Sequence, residues 1–71
     1  MTEQIRAEMV ANVMSLLVSD GDVVEPGQAV VILESMKMEI PVLAERGGTV
    51  VAVSVSEGEV VQEGDVIVEM S

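Results

Sequence analysis

The chain repeats itself. With an offset of 37 residues, Ala7 to Leu33 lies over Ala44 to Met70, and ten of the 27 pairs are identical: Ala7/Ala44, Glu8/Glu45, Val13/Val50, Val18/Val55, Ser19/Ser56, Gly21/Gly58, Val23/Val60, Val24/Val61, Gly27/Gly64 and Val31/Val68. Asp20/Glu57 and Asp22/Glu59 match in charge. A valine-rich chain yields valine matches by chance, but chance does not put glycines and acids in register. So short a unit cannot cover its own apolar face. Two copies must pack face to face about a pseudo-two-fold axis, which makes a flattened sandwich or barrel.

Each copy reads as strand, turn, short strand, turn, strand. Asn12 to Val18 and Thr49 to Val55 are apolar runs with partial alternation, and no stretch of ten or more residues shows an apolar 3.6-residue period. Ser19-Asp20-Gly21-Asp22 and Ser56-Glu57-Gly58-Glu59 are turns in which glycine supplies positive φ. Pro26-Gly27 and Glu63-Gly64 form second turns. Ala29 to Leu33 and Val66 to Met70 are short strands. Gly47-Gly48 is expected to be a tight turn, and Pro41 to sit at a strand edge or start, because it donates no backbone hydrogen bond. The fold class is all-β. With 71 residues and 49% apolar content but no aromatic residue, the core must be aliphatic and the stability margin slim. Residues 1–71 are expected to form one domain with repeats at about 7–33 and 44–70. No Pro/Ala-rich linker flanks it, so it is expected to be either a free-standing domain or one cut cleanly from a larger chain, and the opening Met1 favours the former.

Thirteen acidic residues against three basic ones give a formal charge of −10. Such a field repels nucleic acid and anionic membranes, so neither is expected as a partner. It would draw the chain to a cationic cleft. Its plain alternative is a solvated acidic surface. The N-terminus has no signal-peptide pattern, and no apolar run approaches the roughly 20 residues that span a bilayer. A cytoplasmic protein, monomeric on its own, is the expectation.

One lysine occurs in the chain, and it stands between two methionines: Glu34-Ser35-Met36-Lys37-Met38-Glu39. This segment joins the two copies, between a strand ending near Glu34 and one starting near Ile40. Lys37 is therefore expected on a tight hairpin at one end of the body, with the chain termini, its two-fold mate, together at the other. An exposed tip on a rigid scaffold suits an amine that another enzyme must reach and acylate. Acylation also needs loss of a proton from a group of reference pKa about 10.4, and it would take the charge from −10 to −11. The alternative is an ordinary hairpin with a solvated lysine and two methionines capping the core.

The segment Glu34 to Glu39 resembles the attachment motif of biotinyl carrier domains, written Ala-Met-Lys-Met or Ser-Met-Lys-Met. The resemblance runs from about Ile5 to Met70 and is nearest to the very small free-standing biotinylated proteins. It implies a flattened barrel of two four-stranded antiparallel sheets. It implies biotin joined by an amide to Lys37 by a biotin protein ligase, which activates the cofactor as an adenylate and reads Met36 and Met38, with Ser35, Glu34 and Glu39 beside them. It further implies a non-catalytic carrier whose tethered biotin takes an activated carboxyl group from biotin carboxylase to carboxyltransferase. Lipoyl domains share that fold but place Asp before the lysine, so Met36 favours biotin. The stretch Ala7-Glu8-Met9-Val10-Ala11 departs from the family's Ala-Pro-Met-x-Gly, with Glu for Pro and Ala for Gly. An unmodified β-sandwich adaptor and a lipoyl carrier are the other readings.

With no histidine and no cysteine, Ser-His-Asp and Cys-His nucleophile systems, disulfides and thiolate metal sites are excluded. Asp20-Gly21-Asp22 lacks the spacing of a calcium loop, since Val31 stands where the bidentate Glu belongs, so turn chemistry is expected there. No Gly-Lys-Ser/Thr follows Gly47-Gly48, so these are not a phosphate loop. Arg6 and Arg46 are read as surface charges.

Overall fold

The computed structural model describes residues 3–71. Eight strands follow in order: β1 (Glu3–Arg6), β2 (Ala11–Leu16), β3 (Val23–Val24), β4 (Ala29–Ser35), β5 (Met38–Leu43), β6 (Gly48–Val53), β7 (Val60–Val61) and β8 (Val66–Met70). They form two open four-stranded sheets, β1-β8-β6-β3 and β5-β4-β2-β7, in which every pairing is antiparallel. The 37-residue offset carries β1–β4 onto β5–β8 and turns one sheet order into the other, so the duplication is a two-fold that exchanges the sheets. The copies interleave: each sheet takes two strands from each copy. The body measures 33 × 18 × 17 Å. Among the described residues no helix is long and apolar enough to cross a membrane.

The interleaving follows from how the copies satisfy each other's backbone. Gly21 N–H donates to Val50 O and Gly58 N–H to Val13 O, both at 2.8 Å. Val50 N–H donates to Asp22 O and Val13 N–H to Glu59 O, again at 2.8 Å. The acids that fall in register finish the lock. Asp20 Oδ1 accepts from Val53 N–H at 3.0 Å, and its mate Glu57 accepts from Leu16 N–H at 3.0 Å. β2 and β6 end at Leu16 and Val53, two residues short of the expected Val18 and Val55, although Leu17 N–H still donates to Val30 O and Ser54 N–H to Ile67 O. Within the turns, Asp22 accepts from Ser19 N–H and Glu59 from Ser56 N–H, while Gln28 and Asp65 do the same for Glu25 and Gln62. These acids serve the turns, as their spacing suggested.

The core is aliphatic, and among the described residues no polar one is buried in it. Five identical pairs of the repeat (Ala7/Ala44, Val13/Val50, Val18/Val55, Val24/Val61, Val31/Val68) are all buried. Burying each valine side chain is worth roughly 1.5–3 kcal/mol. Even the irregularities repeat: bulges fall at Met14 and at its mate Val51, and at Val30 and its mate Ile67. Pro41 lies within β5, an edge strand of its sheet, where its missing N–H leaves no ladder bond unmade.

Two expectations change. Gly47-Gly48 is not a turn that needs left-handed backbone. Gly48 opens β6, and a Cβ there would stand 2.4 Å from Ser71 O, while one on Gly47 would stand 3.1 Å from Val24 O. Glycine is required by close approach of two backbones, because the C-terminal residue pairs with Thr49 (Ser71 N–H to Thr49 O, 2.9 Å). Arg6 is also more than a solvated charge: its guanidinium donates to Gly64 O at 2.7 Å and to the Gln4 side chain, closing the second turn of the other copy. Arg46 remains at the surface, paired with Glu3 at 3.7 Å.

Candidate functional site

β4 and β5 form a hairpin whose loop is two residues long, Met36 and Lys37. The ladder runs to the last possible pair: Leu33↔Ile40, Glu34↔Glu39 and Ser35↔Met38. The connection is tighter than the interval expected between Glu34 and Ile40. Its shortness dictates its backbone. Met36 has φ 52° and Lys37 φ 66°, the signs required at both central positions of a type I′ turn, whose twist matches that of the flanking strands. Side chains other than glycine resist this conformation by about 1–2 kcal/mol per residue. Four other described residues have positive φ, and all are glycines: Gly21, Gly27, Gly58 and Gly64.

Met36 is 90% exposed and Met38 62%, so neither caps the core, which removes the ordinary role for two methionines. Lys37 is exposed at the apex. Among the described residues the sole ion pair is the one between Arg46 and Glu3, and the Lys37 amine has no carboxylate partner within 4.0 Å. Below it, Glu34 and Glu39 face each other directly across the ladder, both exposed. Like charges so placed destabilise a hairpin by a few tenths of a kcal/mol. Ser35 is half-buried beneath Met36. The apex is thus rigidly founded, on the buried Leu33 two pairs down, and costly to form at its tip.

The two-fold carries this apex toward the place where the first and last described strands meet: Glu3 pairs with Met70 at the junction of β1 and β8, while the N-terminal end itself lies outside the described residues. A groove of about 490 Å³ lies between the edge strands β1 and β5, lined among others by Ile5, Ile40 and Val42. None of Glu34 to Glu39 lines it, so the expected site residues form an open tip and not a cavity.

What a free primary amine on an exposed, preformed turn can do is act as a nucleophile for an acyl group brought by another enzyme. Comparison with known proteins gives the family to which the chain belongs. The sequence profile of a family described as "biotin-requiring enzyme" matches residues 3–70. The chain belongs to this biotin/lipoyl attachment family. It is 59% identical over 44 residues to the biotinylated protein TB7.3 of Mycobacterium tuberculosis, covering 62% of each chain, so the matched stretch spans under two thirds of that relative. A biotin/lipoyl attachment protein of Bacillus subtilis is 49% identical over 67 residues, 94% of this chain and 92% of the relative. In structure the chain superposes along its whole length on 6% of the urea carboxylase of Kluyveromyces lactis, with TM-score 0.92 and 30% identity. The lipoyl domain of the Azotobacter vinelandii 2-oxoglutarate dehydrogenase complex, at TM-score 0.77 and 21% identity, shares the fold.

Sequence reasoning placed the lysine and the hairpin, but it missed the left-handed Met36 and Lys37 and the opposed acid pair. Asn-Gly would have announced a type I′ turn; Met-Lys carries no such signal.

Proposed function

We propose that this chain is a biotin carrier protein in which Lys37 holds biotin through an amide. The observation that carries the reading is the chain's single lysine side chain, exposed at the apex of a two-residue turn whose backbone favours glycine. Family membership and the biotinylated relatives support biotin as the acyl group. An open tip fits an amide-linked cofactor, which needs a reachable nitrogen and room for its arm.

Each element has a task. A biotin protein ligase receives the hairpin, with Met36 and Met38 flanking the amine and Ser35, Glu34 and Glu39 behind them. Lys37 Nζ, deprotonated in the ligase, would hold biotin through an amide to its carboxyl carbon, with the activating group leaving and the amine's proton passing to the ligase or solvent. Bound biotin supplies a ureido nitrogen that accepts and releases a carboxyl group. The scaffold performs no catalysis. It presents the tethered group to biotin carboxylase and then to carboxyltransferase in the cytoplasm, at a local concentration free biotin would not reach.

Mass spectrometry of the chain co-expressed with a biotin protein ligase tests this. One added biotinyl group, absent from Lys37→Arg, is expected. An unchanged mass defeats the reading and leaves an adaptor, and preferential uptake of lipoate from a lipoate ligase makes the chain a lipoyl carrier.

A further inference from the structure

The duplication lets each sheet serve as the control for the other, and their outer faces differ. In β4 the inward residues Val31 and Leu33 are buried, so Ile32 and Glu34 face outward. The outward row Pro41–Ile32–Ser15, with the bulged Met14 beside it, is a registered row of the lysine-bearing sheet. Its two-fold mate is the row Gln4–Glu69–Ala52, with the bulged Val51. One row further from the tip, Leu43 stands where the mate is Arg6. At three matched places the other sheet is polar or charged (Gln4, Glu69, Arg6) and the lysine's own sheet is apolar (Pro41, Ile32, Leu43). Leu43 is 52% exposed and Met14 41%. Folding does not require apolar residues at these three places, because the related strands β1 and β8 carry polar ones there; at the row's remaining place the contrast reverses, Ser15 against Ala52.

We propose that this outer face of β5-β4-β2 is where the enzyme that acylates Lys37 docks, through an apolar surface edged with lysine or arginine. The proposal rests on the attachment reading and names the docking partner for it. Two features select this occupant. The opposed Glu34 and Glu39 lie between the apolar row and the tip, so a partner that covers both must bring positive charge to that boundary. The row also lies about four residues, roughly 13 Å, below the apex. An enzyme that forms a bond at Nζ has to press against the tip and meets this row. One that works on the far end of an acyl arm stands off by the arm's length.

The test installs the mates' residues: Ile32→Glu, Pro41→Gln and Leu43→Arg together, with Glu69→Ala on the opposite sheet as control. Purified apo-protein, a biotin protein ligase, ATP and biotin give initial rates against carrier concentration. The expected result is a KM raised at least tenfold, or about 1.4 kcal/mol, at nearly unchanged kcat, with the control at wild-type values. An unchanged KM overturns the proposal, and so does an equal rise in the control. If ligation is unaffected while a wild-type dimer dissociates, or while only carboxyl transfer slows, the face belongs to a second copy or to a carboxylase and the proposal falls. Should the triple variant not fold, Leu43→Arg alone must raise KM about threefold, or about 0.65 kcal/mol, and no rise overturns the proposal. A wild-type chain that takes no biotin defeats the attachment reading and docking together; a biotinylated wild type matched by the triple variant defeats docking alone.

Discussion

Two kinds of turn reverse this chain. At Gly21, Gly27, Gly58 and Gly64 the left-handed backbone is handed to glycine, and acids or amides at the turn bind the neighbouring N–H groups. At Met36 and Lys37 the same left-handed backbone is forced on two long side chains, above a pair of opposed glutamates. The first kind relieves strain and the second accepts it. On the proposed function the first kind serves folding and the second serves display: among the described residues, glycine holds every left-handed position except Met36 and Lys37.

The largest expected effect comes from separating the amine from its turn. In Lys37→Arg with Glu63→Lys, the amine moves beside the Gly64 turn, which is also exposed. Biotin incorporation by a ligase should fall to background while the fold persists; robust incorporation would mean that any exposed amine suffices. Next in size, Gly21→Ala with Gly58→Ala places Cβ atoms at φ of 90° and 89°. No atom lies within 4 Å to clash, so conformation alone should cost about 1–2 kcal/mol per site, read as a lower urea midpoint. Asp20→Ala or Glu57→Ala removes the acceptor for a strand-end N–H of the other copy. Each should cost about 1 kcal/mol, and unequal losses would show that the halves are not energetically equivalent. The smallest change runs the other way. Met36→Asn tolerates left-handed backbone better and should gain about 0.5–1 kcal/mol, seen as a higher thermal midpoint, yet take up biotin more slowly. A variant that loses stability would remove the claim of strain at the apex.

Much of the fold was legible because the repeat encodes it. Identical apolar pairs such as Val13/Val50 and Val31/Val68 mark the core, and paired Ser-acid-Gly-acid runs mark the turns. Val23/Val60 warns against reading identity as burial, since these are 74% and 56% exposed. The interleaving of the copies was hidden, because it rests on hydrogen bonds between residues far apart in sequence, as from Val53 to Asp20 and from Val13 to Glu59. The requirement for Gly48 was equally hidden, being set by where Ser71 comes to lie. At the site, the singularity of Lys37 and its place between copies gave the apex. Turn type and the contrast between the sheet faces needed coordinates, since strand register decides which side chains share a row.

The central claim is that one strained apex displays the single acylable side chain. Its most direct test is fragmentation mass spectrometry of purified chain after incubation with a biotin protein ligase, ATP and biotin. One biotinyl group per chain, located on Lys37, is the predicted result. An unmodified chain, or biotin found on the N-terminal amine in place of Lys37, would contradict it.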